Sequence, residues 1–95
     1  MSGQQSFAEY AIVLDERDNV ATALVDVPRG EYRHAGPGGR ATIALPEDVR
    51  AGFKIAVAPI RAGERVCKYG YVIGLAQVEI RPGECVHVHN MRSSV

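Results

Sequence analysis

The stretch Ile60-Arg-Ala-Gly-Glu-Arg-Val66 is one of three copies of a seven-residue pattern in the second half of the sequence. The other copies are Val49-Arg-Ala-Gly-Phe-Lys-Ile55 and Ile80-Arg-Pro-Gly-Glu-Cys-Val86. Each copy begins and ends with a β-branched residue and has Ala or Pro directly before a Gly. Ala or Pro followed by Gly is typical of a type II turn, whose third position requires a positive φ. The pattern therefore predicts short strands joined by Gly-centred turns.

The first half of the chain adds further short elements. Tyr10–Leu14 and Ala41–Leu45 are predicted strands, and the charged run Asp15–Asn19 is a predicted turn. Val20–Val27 fits either a short helix or a strand, because periodicity cannot separate the two at this length. The Gly-rich stretch Gly30–Arg40 is predicted to be a long loop. We therefore predict a mostly β fold with at most one or two short helices.

Composition excludes several classes of function. The chain has 95 residues, 46% of them hydrophobic, which predicts a loose tail over residues 1–6 and one domain over residues 7–95. Its net charge of zero argues against nucleic-acid binding, and its apolar runs are too short to cross a membrane. The start of the sequence lacks the basic and apolar regions of a secretory signal. With only two cysteines as well, we expect a cytoplasmic protein without a disulfide framework.

The histidines form the sharpest cluster of chemically active side chains. Two of the three histidines occur in Cys85-Val-His-Val-His-Asn90, and if this segment is a strand, Cys85, His87 and His89 share one face. Two imidazoles in that arrangement can approach one metal ion, and a thiolate could join them. The alternative is the exposed polar face of an edge strand, with Cys85 acting as a small buried hydrophobe.

Two lysines are the other candidates. Lys68 lies in an apolar segment and is followed by Gly70 and Gly74, which suggests that another chain segment or a ligand approaches closely. A lysine pressed against apolar surface can act as a general base or bind a carboxylate, although reaching out to solvent is the commoner outcome. Lys54, two residues after Gly52, has the same two alternatives, a functional role or a side chain that reaches out to solvent. The sequence contains no nucleophile elbow, P-loop or dinucleotide fingerprint.

Several of these segments together resemble one protein family. Asp18-Asn-Val20, Ala51-Gly-Phe-Lys-Ile-Ala56, Lys68-Tyr-Gly70, Ile73-Gly74 and Val86-His-Val-His-Asn90 occur in the order seen in the altronate/galactarate dehydratase family. The resemblance covers roughly residues 10–92, and it is to the small portion of these enzymes that has an SAF-type β-clip fold. It implies a small subunit that works with a large dehydratase-like subunit to eliminate water from a sugar-acid carboxylate.

The resemblance also implies roles for individual residues. It assigns catalysis to His87, His89 and Lys68, and it makes the two histidines possible ligands of a divalent ion, Fe²⁺ or Mn²⁺. It assigns substrate binding to a second group of side chains: Lys54, Tyr69 and Asn90. One departure is that the family usually has Gly-His-Lys where this chain has Gly52-Phe-Lys54.

Alternatives to the hydro-lyase subunit are kept open. A related family member is the small subunit of sulfolactate sulfo-lyase, which eliminates sulfite instead of water. A non-enzymatic SAF module that binds carbohydrate or scaffolds a partner is the alternative from a different class. We expect no turnover from the isolated chain, because one small domain offers little volume for a pocket. Exposed strand edges also allow a homo-oligomer.

Overall fold

The computed structural model describes residues 5–34 and 41–93 of the chain. Within them, one short 3₁₀ turn at Phe7–Glu9 precedes nine short strands. The strands are β1 (Ala11–Ile12), β2 (Val20–Ala23), β3 (Gly30–Arg33), β4 (Thr42–Leu45), β5 (Lys54–Ala56), β6 (Arg65–Lys68), β7 (Tyr71–Ala76), β8 (Cys85–Val86) and β9 (Met91–Ser93). No helix in these residues is long and apolar enough to cross a membrane. The mostly β prediction is confirmed.

The strands form three small antiparallel sheets. The central sheet has the order β1-β2-β5-β8, and the others are the hairpin β3-β4 and the sheet β6-β7-β9. In the central sheet Thr22 lies opposite Lys54, and Lys54 lies opposite Val86. These three residues therefore point to the same face of the sheet.

Each face of the central sheet covers one hydrophobic core. Ala21 and Ile55 belong to a core with residues of the β3-β4 hairpin. Val20 and Ala56, their neighbours along the two strands, belong to a second core with residues of the β6-β7-β9 sheet. Strand alternation thus divides a nearly continuous apolar sequence between two cores.

The three Gly-centred turns are present. Gly52, Gly63 and Gly83 have φ values of 91°, 88° and 94°, as the third position of a type II turn requires. Gly83 also packs tightly, because a Cβ built there would lie 1.9 Å from the Ala44 carbonyl oxygen. The first residues of all three copies lie outside the strands and form isolated bridges instead: Val49 with Val27, and Ile60 with Ile80.

Local predictions in the first half are partly corrected. Of the two forms that Val20–Val27 allowed, the structure has a strand, at Val20–Ala23. The predicted loop 30–40 begins with strand β3, because Tyr32 is buried and pairs with Ile43; its residues 35–40 lie outside the described residues. Of the predicted tail, residues 1–4 lie outside them too, whereas the Gln5 carbonyl oxygen accepts a hydrogen bond from the Arg33 amide.

Candidate functional site

The histidine segment is a turn, not a strand. Strand β8 ends at Val86, and the His87 carbonyl oxygen then accepts hydrogen bonds from the amides of Asn90 and Met91, at 3.0 and 2.8 Å. The predicted common face of Cys85, His87 and His89 is therefore wrong. The period-two pattern misled because it describes an edge strand and a polar turn of this length equally well.

Asn90 shapes this turn from within. Its side chain is buried, its Oδ1 accepts a hydrogen bond from the His87 amide at 2.9 Å, and its Nδ2 donates to the Cys85 carbonyl oxygen at 2.9 Å. Both ends of the amide are thus used to close the chain around the two histidines. Asn90 positions the imidazoles, and its contact with substrate stays a prediction.

The two imidazoles lie in different surroundings. The His87 ring packs edge-on against Phe53, with the ring centroids 4.8 Å apart. His89 is exposed and lines an open cavity of about 340 Å³ together with Arg50, Phe53 and Glu84. Phe53 therefore contacts one candidate imidazole and shares a cavity with the other.

Lys54 and Lys68 lie close enough to interact electrostatically. Burial lowers the pKa of Lys54, the positive charge of Lys68 lowers it further, and Cys85 acts weakly in the opposite direction. Neither lysine has an ion pair with a carboxylate among the described residues. They are also the only two lysines in the sequence, although it contains nine arginines. The half-buried Lys54 ammonium therefore lies within electrostatic range of a second cation, and an anion at this place would be attracted to both.

Cys85 is a poor candidate for a thiolate. Burial raises the pKa of its thiol, and the nearby Lys54 only partly offsets this effect. The side chain packs against the core that contains Ile55. A neutral thiol is neither a nucleophile nor a metal ligand, so the interpretation of Cys85 as a small hydrophobe is the one that fits.

The candidates fall into two groups around strand β5. Phe53 and Lys54 are adjacent in the chain, so their side chains leave β5 on opposite sides. His87 and His89 lie on the Phe53 side, whereas Lys68 interacts with Lys54. Neither lysine lines the cavity that His89 lines. A substrate held by both groups must therefore reach around the end of β5, next to the edge strand β8.

Sequence reasoning missed the role of Asp18 and Asn19. Buried Asp18 accepts a hydrogen bond from the Gly70 amide at 2.8 Å. Asn19 donates to the Arg65 carbonyl oxygen and accepts from the Cys67 amide, both at 2.8 Å. The only indication in the sequence was that these residues form the first of the family-like segments. Their hydrogen-bond partners lie about 50 residues further along the chain, so no local pattern connects them. These two residues fix the hairpin that carries Lys68.

The described residues alone do not offer a complete metal site. They contain no group of three or more His, Cys, Asp or Glu side chains that could hold an ion. Two imidazoles leave a divalent ion short of the three or four protein ligands of common sites. The His87 and His89 pair therefore does not fit a metal without ligands from elsewhere.

Comparison with known proteins gives consistent matches. The chain is 37% identical over 84 residues to altronate dehydratase of Bacillus subtilis (strain 168), covering 88% of this chain and 16% of that protein. It is 40% identical over 78 residues to altronate dehydratase of Escherichia coli (strain K12), covering 82% of this chain and 15% of that protein. The chain thus spans about a sixth of the length of these curated relatives.

A family model identifies the part that is shared. The model described as the altronate/galactarate dehydratase SAF domain matches residues 9–94, a range that contains all nine strands. The motifs that the resemblance rested on fall inside this range. The chain belongs to the family of altronate/galactarate dehydratase SAF domains.

Proposed function

We propose that this SAF domain is the small subunit of a hydro-lyase that eliminates water from a sugar-acid carboxylate together with a large dehydratase-like subunit. The observation that carries the proposal is the half-buried ammonium of Lys54, which lies within electrostatic range of Lys68 and, like it, has no acidic partner among the described residues. Family membership supplies the reaction class, since both relatives are altronate dehydratases.

The two lysines suit the difficult part of such an elimination. Removing the proton next to a carboxylate places additional negative charge on that carboxylate. Fixed positive charges stabilise this charge in the transition state more than in the ground state, which is the condition for catalysis. Lys54 and Lys68 would bind the substrate carboxylate and stabilise its anionic form.

The histidines suit proton transfer at the leaving group. An imidazole can donate a proton to a departing hydroxyl and be reprotonated by solvent. His89 is exposed beside a cavity, and His87 is oriented by the Phe53 ring. A divalent Fe²⁺ or Mn²⁺ would act as a Lewis acid, and we propose that the large subunit supplies its ligands, because imidazoles that donate a proton are not available to bind the ion.

Reconstitution with the large subunit tests the proposal. Lys54→Met and Lys68→Met are each expected to lower kcat/KM by about 100-fold, the usual effect of removing one preorganised charged contact. Arg61→Met is the matched control, because Arg61 is an exposed cation on a Gly-centred turn, and it should leave activity unchanged. His87→Ala and His89→Ala are expected to keep the fold and abolish turnover.

The choice of substrates separates the alternatives. Altronate, galactarate and sulfolactate are assayed in parallel with the pair and with the isolated chain. Loss of water from a sugar acid only in the presence of both subunits supports the proposal. Release of sulfite from sulfolactate would instead indicate the sulfo-lyase. Sugar-acid binding without any turnover by the pair would indicate a binding module, and full activity of both lysine variants would also contradict the proposal.

A further inference from the structure

The turn that follows Lys68 has an unusual composition. Lys68 pairs directly with Tyr71, so Tyr69 and Gly70 form a two-residue hairpin turn. Their φ values are 55° and 81°, the positive pair that a type I′ turn requires. Asn-Gly is the preferred sequence for such a turn, whereas a bulky residue at positive φ is strained. Among the described residues, Tyr69 is the one non-glycine residue with a positive φ.

Packing does not explain why a tyrosine occupies this position. Tyr69 is half-buried and belongs to neither hydrophobic core. Gly70 beside it is fixed by its surroundings, since a Cβ there would lie 2.8 Å from Asp15 Oδ2 and its amide is bound by Asp18. Position 69, the first of the turn, could therefore hold a residue such as Asn that adopts a positive φ with less strain. Strain that is retained at such a position points to a functional role.

The tyrosine ring has a specific neighbour. The Lys68 ammonium lies 5.0 Å from the centroid of the Tyr69 ring, within the range of a cation–π contact. Without the ring, the ammonium would move over a wide range of positions, because the lysine stem is flexible. The ring face attracts the ammonium and restricts that movement.

We propose that Tyr69 is a positioning residue, whose ring holds the Lys68 ammonium in place to bind the substrate carboxylate. The inference rests on the proposed function, in which this pair binds the carboxylate of the substrate. It replaces direct substrate contact by Tyr69 with an action through Lys68. The strained turn and the two-lysine site are then parts of one arrangement.

The chain allows a direct test, because it contains only two lysines. Selective ¹³C labelling of lysine gives one side-chain signal for each, and Lys54→Arg and Lys68→Arg assign them. In the wild-type chain the Lys68 signal should be shifted by the ring current of Tyr69. The pKa of Lys54 is measured from its own signal, and it reports how close the Lys68 charge is held.

Three variants separate positioning from turn structure. Tyr69→Asn creates the preferred turn sequence, so the free energy of unfolding should be unchanged or higher. The Lys68 ring-current shift should disappear, and the pKa of Lys54 should rise towards its ordinary value. Tyr69→Phe keeps the ring and should preserve both signals. Val72→Asn is the control, because Val72 is exposed on the same hairpin, has no ring and pairs with Cys67; it should change neither.

Activity completes the test. In the reconstituted pair, Tyr69→Asn should lower kcat/KM by about 2- to 5-fold, the contribution of one cation–π contact, while Tyr69→Phe should not. Unchanged lysine signals in Tyr69→Asn would overturn the inference, and so would a loss of stability in that variant. If the lysine signals change as expected but Lys68→Met retains full dehydratase activity, positioning stands and the proposed function fails.

Discussion

Asn90 shows how one buried amide can determine the shape of a candidate site. Its two hydrogen bonds join the end of strand β8 to the start of the histidine turn. The neighbouring Val88 is 73% exposed at the tip of the same turn. The turn therefore depends on a residue inside it and tolerates change at its tip.

Replacing these two residues tests that difference. Asn90→Ala leaves the His87 amide and the Cys85 carbonyl oxygen without their side-chain partner, so it should lower the free energy of unfolding by about 1–3 kcal/mol. Val88→Ala is the control and should stay within about 0.5 kcal/mol of the wild type. Urea unfolding curves of both variants provide the measurement. Equal stability of the two would show that Asn90 does not hold the turn.

At the scale of elements, the Gly-centred turns repeat one geometry in different surroundings. Gly63 and Gly83 have nearly the same positive φ, 88° and 94°. A Cβ at Gly63 would meet no atom within 4 Å, whereas at Gly83 it would overlap the Ala44 carbonyl. The two positions thus differ in packing and not in backbone conformation.

This pair separates backbone strain from overlap. Gly63→Ala should lower the free energy of unfolding by about 1–2 kcal/mol, the cost of a left-handed conformation for a residue with a Cβ. Gly83→Ala should cost about 1–3 kcal/mol more, because β4 must move away from the added methyl group. Thermal and urea unfolding compare the two variants. A smaller loss at Gly83 than at Gly63 would contradict the close approach of β4.

The Gly-centred turns and strand β3 also show which features of the fold could be predicted from the sequence. Turns were predictable, because Gly52, Gly63 and Gly83 carry a local backbone requirement. The strand at Gly30–Arg33 was not, since it depends on pairing with β4, and Gly-rich composition indicated a loop. In the candidate site, the histidines and lysines could be recognised from the sequence, but which of them lie close together could not. The groups that Phe53 and Lys54 join depend on their interactions with His87 and Lys68, which are distant in the sequence. No local pattern reveals such a distant contact, and the same holds for Asp18 with Gly70.

For the whole molecule, the central sheet couples the two cores. Strands β2 and β5 contribute alternate residues to each core, such as Ile55 to one and Ala56 to the other. If one core unfolds, β2 and β5 are no longer held in place, and the second core loses the sheet against which it packs. We expect the domain to unfold in a single cooperative transition.

Matched substitutions in the two cores test this coupling. Ile43→Val and Ile80→Val each remove one buried methyl group, and each should lower the free energy of unfolding by about 0.5–1.5 kcal/mol. Each should also shift one transition that tyrosine fluorescence and far-UV circular dichroism report at the same temperature. Two separate transitions, with only one displaced by each variant, would mean that the cores unfold independently.

The order of strands in the central sheet has a consequence for synthesis of the chain on the ribosome. Strand β8, at Cys85–Val86, completes a sheet whose other members were translated between residues 11 and 56. The earlier strands are only two to four residues long, and such short strands have little stability alone. The β5 edge of the nascent domain therefore stays unpaired until β8 has left the exit tunnel. Unpaired edges of this kind attract other chains, so the late emergence of two residues determines how long the domain stays vulnerable to aggregation.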